Sequence, residues 1–126
     1  MIDELELTIW GRKFLLPIVY ECYVGESVTE NQISALELFV RHLDWIEKSK
    51  VDIVNYCKDK VLEDEENDKK DNIFSYIKPE QLFIKHDLEN PRIAMMCKYR
   101  YDPEHGLAVV FSSEGEVIVG TQDIIL

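Results

Sequence analysis

The middle of the chain contains neither proline nor glycine between Gly25 and Pro79. These two residue types are the strongest local breakers of regular structure, so their absence over such a span favours long helices. Short apolar segments separated by turn residues lie on both sides of this region. The chain therefore predicts a helical middle flanked by strands.

Two alternative capping patterns mark the start of the helical middle. Thr29 with Gln32 three residues later predicts a helix N-terminus, and Ser27 with Glu30 offers a competing capping box slightly earlier. The apolar residues that follow recur at helical spacing, which predicts the buried stripe of a helix. This stripe comprises Ile33, Leu36, Phe39, Val40, Leu43 and Ile46.

The helical pattern is interrupted between Glu47 and Lys50, where Ser49 offers a start for a second helix. Val54, Cys57 and Val61 then continue the apolar spacing. One bent helix and two consecutive helices are both compatible with this region, which we expect to cover about residues 29–66.

The flanking segments have the features of strands. In residues 4–9 apolar and polar side chains alternate, which is typical of a half-buried strand. The second apolar segment covers residues 14–24. Pro17 within it predicts an edge strand or a bulge, because proline has no N–H to donate to the hydrogen bonds of a central strand. The turn at Glu114-Gly115 predicts a hairpin. The later strand segments are 81–86, 93–101, 107–111 and 117–119.

Together these segments predict a single α+β domain covering residues 1–126. The order ββ-α(α)-ββββ contains no repeated βαβ unit. An antiparallel sheet of about six strands, with one or two helices packed on one face, is therefore the most economical arrangement.

The chain carries 25 acidic and 14 basic side chains, a formal net charge of −11. Because 46% of its residues are hydrophobic, this charge belongs to the surface of a folded core rather than to a disordered tail. Recognition of nucleic acid needs an excess of Lys and Arg, and anionic membranes would repel the chain. The composition excludes both as general partners.

The compartment is predicted from three features. The first residues lack the basic start and apolar run of a secretory signal, and no segment approaches the roughly 18 apolar residues that a membrane span needs. Cys22, Cys57 and Cys97 are odd in number and form no Cys-x-x-Cys pair. Reduced thiols in a cytoplasmic protein are the favoured interpretation.

A run of acidic residues follows the helical region. Residues 63–71 contain no apolar side chain, which predicts a solvated helix end and loop. Its alternating acids suggest a calcium loop, but Lys69 and Ser75 stand where the glycine and the bidentate acid should be. The density of charge makes this run the candidate contact with a basic partner. Its residues are Glu63, Asp64, Glu65, Glu66 and Asp68.

Residues 101–107 form the most distinctive segment and lie between two predicted strands. Pro103 suits a corner of a type I turn, and Gly106 suits the left-handed position that closes it. Asp102, Glu104 and His105 are alternatively an acid/base or metal site at the tip of the loop. The turn is favoured, because a single histidine is few ligands for a transition metal and side chains on a tight turn diverge.

The remaining motifs point away from catalysis. The glycines are too far apart for a dinucleotide or phosphate loop, and no nucleophile has a recognisable context. His42 and His86 lack any surrounding motif. Trp10 and Trp45 are core residues or, less commonly, anchors of an interface. We therefore expect no cofactor, no metal and no enzymatic activity.

Four segments carry a resemblance to a known family. They are Ile93-Ala94-Met95-Met96-Cys97, Tyr101-Asp102-Pro103-Glu104-His105-Gly106-Leu107, Val110-Phe111 and Val119-Gly120-Thr121-Gln122-Asp123. They resemble small bacterial domains of unknown function that have an Asp-Pro-Glu-His-Gly hairpin and a Val-Gly-x-x-Asp ending. Tyr101 stands where that family usually has tryptophan. Some relatives are thought to be immunity proteins of polymorphic or contact-dependent toxin systems.

The favoured hypothesis is thus a cytoplasmic, non-enzymatic, acidic protein that binds and neutralises a basic toxin domain. A small enzyme or metal-binding protein using Asp102, Glu104 and His105 is one alternative. A homo-oligomeric structural module, pairing through an edge strand near Pro17, is another. We expect a monomer or a weak homo-oligomer.

Overall fold

The computed structural model describes residues 3–63, 73–86 and 91–126. Within these ranges six strands form one sheet in the order β1-β2-β3-β4-β5-β6, and two helices connect β2 to β3. The predicted α+β class and element order are confirmed. The elements are β1 (Glu4–Ile9), β2 (Arg12–Tyr20), α1 (Glu30–Arg41), α2 (Asp44–Glu63), β3 (Ile77–Ile84), β4 (Ile93–Tyr99), β5 (Leu107–Phe111) and β6 (Val117–Gly120).

The sheet is mixed rather than wholly antiparallel as predicted. Four of its strand pairs are antiparallel, and β2 and β3 are parallel over Ile18–Tyr20 and Leu82–Ile84. Strands in parallel need a long crossover, and here α1 and α2 supply it. The prediction missed this pair because one isolated crossover leaves no repeated βαβ pattern in the sequence.

The expectation of an edge strand or bulge at Pro17 is wrong, since β2 lies between β1 and β3. Pro17 pairs with Glu4 of β1, while pairing with β3 begins at Ile18. The Ile18 nitrogen donates to the Asp3 carbonyl, 2.8 Å away, so the Pro17 nitrogen faces the opposite side of the strand. Proline is tolerated here because no β3 residue pairs with it.

The helical region is two helices, and the break falls at residues 42–43, not between Glu47 and Lys50 as predicted. Ser49 lies inside α2, where its buried hydroxyl donates to the Ile46 carbonyl. In one continuous helix Trp45 would lie about 120° around the axis from Phe39. The break reorients α2, and Phe39 and Trp45 are both buried.

The predicted N-terminus of α1 is confirmed. The Gln32 nitrogen donates to the Thr29 hydroxyl over 3.1 Å, and the Thr29 nitrogen donates to Gln32 Oε1 over 2.9 Å. This is a complete capping box, so Thr29 and not Ser27 begins the helix.

The buried face of α1 differs from the predicted stripe. Gln32, Leu36 and Phe39 are buried, whereas Ile33 and Val40 are 39% and 38% exposed. The main core lies between the helices and one face of the sheet. Every second side chain of β3, β4 and β5 belongs to it, apart from the irregularity in β3, because successive side chains of a strand point to opposite faces. The predicted fully buried strand Leu107–Phe111 is confirmed as β5.

Two strand limits differ from the prediction. β3 begins at Ile77, four residues before the predicted 81, and Pro79 lies within it beside a register shift. Such an irregularity accommodates a proline in a strand. β4 ends at Tyr99, since Tyr101 already belongs to the following turn. Of the helices within the described ranges, neither has the length and hydropathy needed to cross a bilayer.

Candidate functional site

The predicted acidic contact lies mostly outside the described residues. Glu63 is the last residue of α2. Asp64, Glu65, Glu66 and Asp68 fall in the range 64–72, which the structure does not describe. The assignment of a partner contact to this run therefore stays a prediction.

The predicted loop site at Asp102, Glu104, His105 and Gly106 has the geometry of a tight turn. The Gly106 nitrogen donates to the Asp102 carbonyl over 2.8 Å, and Gly106 adopts a φ of +65°. The Asp102 carboxylate accepts the His105 backbone nitrogen at 3.3 Å and lies 3.0 Å from His105 Nδ1. Glu104 and His105 are both exposed. The turn thus brings one carboxylate and one imidazole together at the surface.

The chemistry available to this pair is limited. The hydrogen bond that His105 donates to the Asp102 carboxylate, together with the negative charge of that carboxylate, raises the pKa of His105 above its ordinary value of 6.5. The described residues contain no group of three or more His, Cys, Asp or Glu placed to hold a metal ion. The pair can share a proton, and the described residues do not complete a set of three metal ligands around it.

The turn is joined to the C-terminal segment. The Gln122 backbone nitrogen donates to the His105 carbonyl, and Gln122 Nε2 donates to the Cys97 carbonyl, both over 3.0 Å. A Cβ atom at Gly106 would lie 2.6 Å from Gln122 Nε2 and 2.8 Å from the Cys97 oxygen. Three of the four sequence segments that carried the family resemblance therefore meet here, which gives Gly106 and Gln122 a structural role.

The two tryptophans belong to the core rather than to an exposed interface. Trp10 is 8% exposed and packs against Phe74 with ring centroids 4.9 Å apart. Trp45 is 9% exposed and stacks on His42 at 4.7 Å. Neither side chain is available as a surface anchor.

Within the described residues the three cysteines form no disulfide, and Cys57 and Cys97 are buried. Burial raises the pKa of Cys97, so its reactive thiolate form is disfavoured. Cys22 is exposed, on the segment between β2 and α1.

A polar cluster that the sequence did not predict lies where the parallel strands β2 and β3 end. Gln32 is fully buried, and its Nε2 donates to the Glu21 carbonyl at 2.8 Å and to the Ile84 carbonyl at 3.1 Å. The Glu21 carboxylate accepts the His86 backbone nitrogen at 3.0 Å and lies 3.3 Å from Lys85 Nζ. These contacts join the ends of β2 and β3 to α1, beside the backbone bond from the Glu21 nitrogen to the Ile84 carbonyl at 2.9 Å.

The histidine of this cluster is largely buried. The His86 side chain is 6% exposed, and its Nε2 lies 3.3 Å from Glu26 Oε2 without the geometry of a hydrogen bond. The Tyr23 ring covers it at a centroid distance of 4.3 Å. The sequence signal that could have found this cluster is Gln32 itself, a polar residue next to the apolar stripe of α1.

The outward side of α1 exposes apolar side chains between carboxylates. Residues three, four and seven apart lie on one side of a helix. Those on the outward side are exposed, and we call them the outer face of α1. They are Glu30, Ile33, Ser34, Glu37, Val40 and Arg41, followed after the helix by Leu43 and Asp44.

The fold and the interlocked turn define a small α+β domain with a six-stranded mixed sheet. A family model described as a domain of unknown function (DUF6985) matches residues 2–126, so the chain belongs to that family. No curated protein and no solved structure matches the chain. The resemblance found in the sequence is confirmed at the level of a family of unknown function.

Proposed function

We propose that this protein is a non-enzymatic immunity protein that binds and neutralises a basic bacterial toxin domain, with the outer face of α1 in the contact. The observation that carries the proposal is the exposure of Ile33, Val40 and Leu43, at 39%, 38% and 40%, on an otherwise amphipathic helix.

Exposed apolar side chains on a helix favour association. Covering such side chains removes apolar surface from water, which contributes about 25 cal/mol per Å² before the costs of association. A helix also holds them at fixed positions, so little conformational freedom is lost on binding. Leu36 and Phe39 already fill the core side of α1, which leaves Ile33 and Val40 for a partner.

The charges next to these side chains favour a basic partner. Glu30 and Glu37 lie on the same face as Ile33 and Val40, where they outnumber the single cation Arg41, and the whole chain carries a net charge of −11. Complementary charge raises the rate of association and suppresses wrong partners. A toxin domain that acts on nucleic acid has the basic surface that fits this face.

The test first asks whether a neighbouring gene encodes a secreted toxin, and then whether this protein neutralises the C-terminal domain of that toxin. Wild-type protein should restore growth to cells that express the toxin and should bind the purified domain. The double variant Ile33→Gln and Val40→Gln should bind at least about tenfold more weakly, which is about 1.4 kcal/mol. Its thermal stability should be close to that of the wild type, because both side chains are exposed.

A matched control uses exposed apolar residues on the opposite side of the sheet. Leu15 and Ile118 are 59% and 58% exposed, so Leu15→Thr with Ile118→Thr removes comparable surface away from α1. This control should bind like the wild type. A toxin that the wild-type protein neither binds nor neutralises would overturn the proposed function, and equal binding by both double variants would remove α1 from the interface.

A further inference from the structure

We propose that an open cavity at one end of β3 and β4 binds a phosphorylated small molecule. The cavity has a volume of about 600 Å³, and three cations, Lys78, Lys98 and Arg100, lie in its wall. Ser75 and Tyr76, from the turn that precedes β3, also line it.

The three cations lie close together, with little opposite charge beside them in the described part of the chain. Lys78 and Lys98 are direct partners in the antiparallel β3–β4 pair, where like charges repel. Within the described part of the chain one carboxylate lies near them, Glu80, at 3.6 Å from Lys98 Nζ. Lys78 and Arg100 have no carboxylate within 4.0 Å among these residues.

This local charge contrasts with that of the whole molecule. The chain has only 14 basic residues, and three of them meet at this cavity although the net charge is −11. Arg12 adds a fourth cation nearby, because its guanidinium donates to the Phe74 and Ile77 carbonyls at 2.9 and 3.3 Å. A concentration of cations in an acidic protein indicates a local requirement for negative charge.

The overall charge also restricts the size of the ligand. A polyanion or an anionic membrane extends over the acidic surface and is repelled by it. A small anion responds mainly to charges within a Debye length, about 8 Å at physiological ionic strength. The volume of the cavity lies within the range typical of small-molecule sites, about 300–1,000 Å³.

The types of side chain favour a phosphate group attached to an organic part. Arginine binds the oxygens of phosphate in a bidentate manner, and lysines add point charges around it. The Arg100 guanidinium lies over the Tyr76 ring, 5.2 Å from its centroid, which orients the guanidinium and provides an aromatic wall. The organic part of the ligand would pack against that wall.

The experiment is calorimetric titration of the full chain with ADP and with inorganic pyrophosphate, without divalent metal, at physiological ionic strength. We expect saturable binding of both probes at one site. Lys78→Gln and Arg100→Gln should each weaken it at least about tenfold, the effect of losing one charge-assisted hydrogen bond. Tighter binding of ADP than of pyrophosphate would support a contribution from the aromatic wall, and equal affinity would support recognition through the phosphates alone.

The matched control is Lys48→Gln, which changes the net charge equally. Lys48 is on α2 and pairs with Asp44 at 3.0 Å, so its loss should leave the affinity unchanged. Absence of saturable binding by either probe would overturn the proposal. So would an equal loss of affinity in the Lys48 variant, or the same heat signal from chloride at matched ionic strength, because both indicate general charge screening. Failure of this test leaves toxin binding through α1 unaffected.

Discussion

At the scale of single residues, Gln32 joins three segments of backbone through one buried amide. Its Nε2 donates to the Glu21 and Ile84 carbonyls, and its Oε1 accepts the Thr29 nitrogen. Replacing Gln32 by Ala leaves these groups without that partner, so the free energy of unfolding should fall by about 1–3 kcal/mol. Urea unfolding measures the change. Ser34→Ala, at an exposed position of the same helix, should alter stability much less, and an equal change in both variants would contradict this role for Gln32.

A second prediction at this scale concerns the pH dependence of the Asp102–His105 pair. The pKa of His105 is raised in the folded state, first by its hydrogen bond to Asp102. Protonation therefore favours folding: the stabilisation is fully present below the ordinary pKa of 6.5 and is lost as the pH rises through the raised pKa. His105→Gln should lower the melting temperature more at about pH 5.5 than at about pH 8.5.

The control for this prediction is the same substitution in an Asp102→Asn background. Without the carboxylate the pKa of His105 loses its main cause of elevation and keeps only the weaker effects of Glu104 and Asp123, so the effect of His105→Gln should vary much less with pH. A pH-independent effect in the wild-type background would show that the pair contributes no linked stability.

At the scale of elements, the β4–β5 turn and the C-terminal segment depend on the lack of a side chain at Gly106. An added Cβ there would lie within 3.0 Å of Gln122 and of the Cys97 carbonyl, at a φ of +65°. Gly106→Ala should therefore lower the free energy of unfolding by the cost of left-handed backbone, about 1–3 kcal/mol, and by a further amount from the clash. Chemical denaturation measures the sum.

Gly11 allows these two contributions to be separated. It also has a positive φ, +83°, but nothing lies within 4 Å of an added Cβ. Gly11→Ala should show the backbone cost alone, and Gln122→Ala should recover part of the loss in the Gly106 variant. If Gly106→Ala and Gly11→Ala were equally destabilising, the close contact with Gln122 would have no energetic role.

The elements that could be predicted from the sequence are those that depend on interactions between residues close together in the chain. The capping box of Thr29 and Gln32 spans four residues, and the buried strand β5 is a continuous apolar run. The outward position of Ile33 was missed because Gln32 is held inward by the Ile84 carbonyl, 52 residues away. The parallel pairing of β2 with β3, and the polar cluster at its end, likewise depend on contacts across the helical crossover.

The candidate sites also differ in whether they depend on local or long-range interactions. The turn at 102–106 was predicted because Pro103 and Gly106 have local backbone preferences. The structure has the left-handed Gly106, but the turn closes through a bond from the Gly106 nitrogen to the carbonyl of Asp102, one residue further back than in a type I turn. The cavity between Lys78, Lys98 and Arg100 could not be predicted, because only the register of β3 with β4 brings Lys78 opposite Lys98.

At the scale of the whole molecule, the net charge of −11 and the basic cavity act over different distances. Long-range attraction depends on the summed charge, and it steers a large basic partner toward the protein. The cavity acts on a ligand that has already come within a few ångströms, where its three cations dominate. One acidic molecule can therefore attract a basic protein and still hold a small anion.

The predicted acidic contact is tested by the rate of association with the toxin domain. Reversing the five acids Glu63, Asp64, Glu65, Glu66 and Asp68 to Lys should slow association, and more strongly at low salt, where charges are less screened.

The control variant reverses five other acids, which are exposed, and so makes the same change in net charge. They are Glu4, Glu6, Glu104, Glu114 and Glu116. If the acidic run touches the partner, its reversal should slow association more than the control reversal and should also speed dissociation, because contact charges act after docking. Stopped-flow measurements over a series of salt concentrations separate these effects. Equal rates for the two variants would mean that only net charge matters, and an unchanged rate for the first would remove the run from the interface.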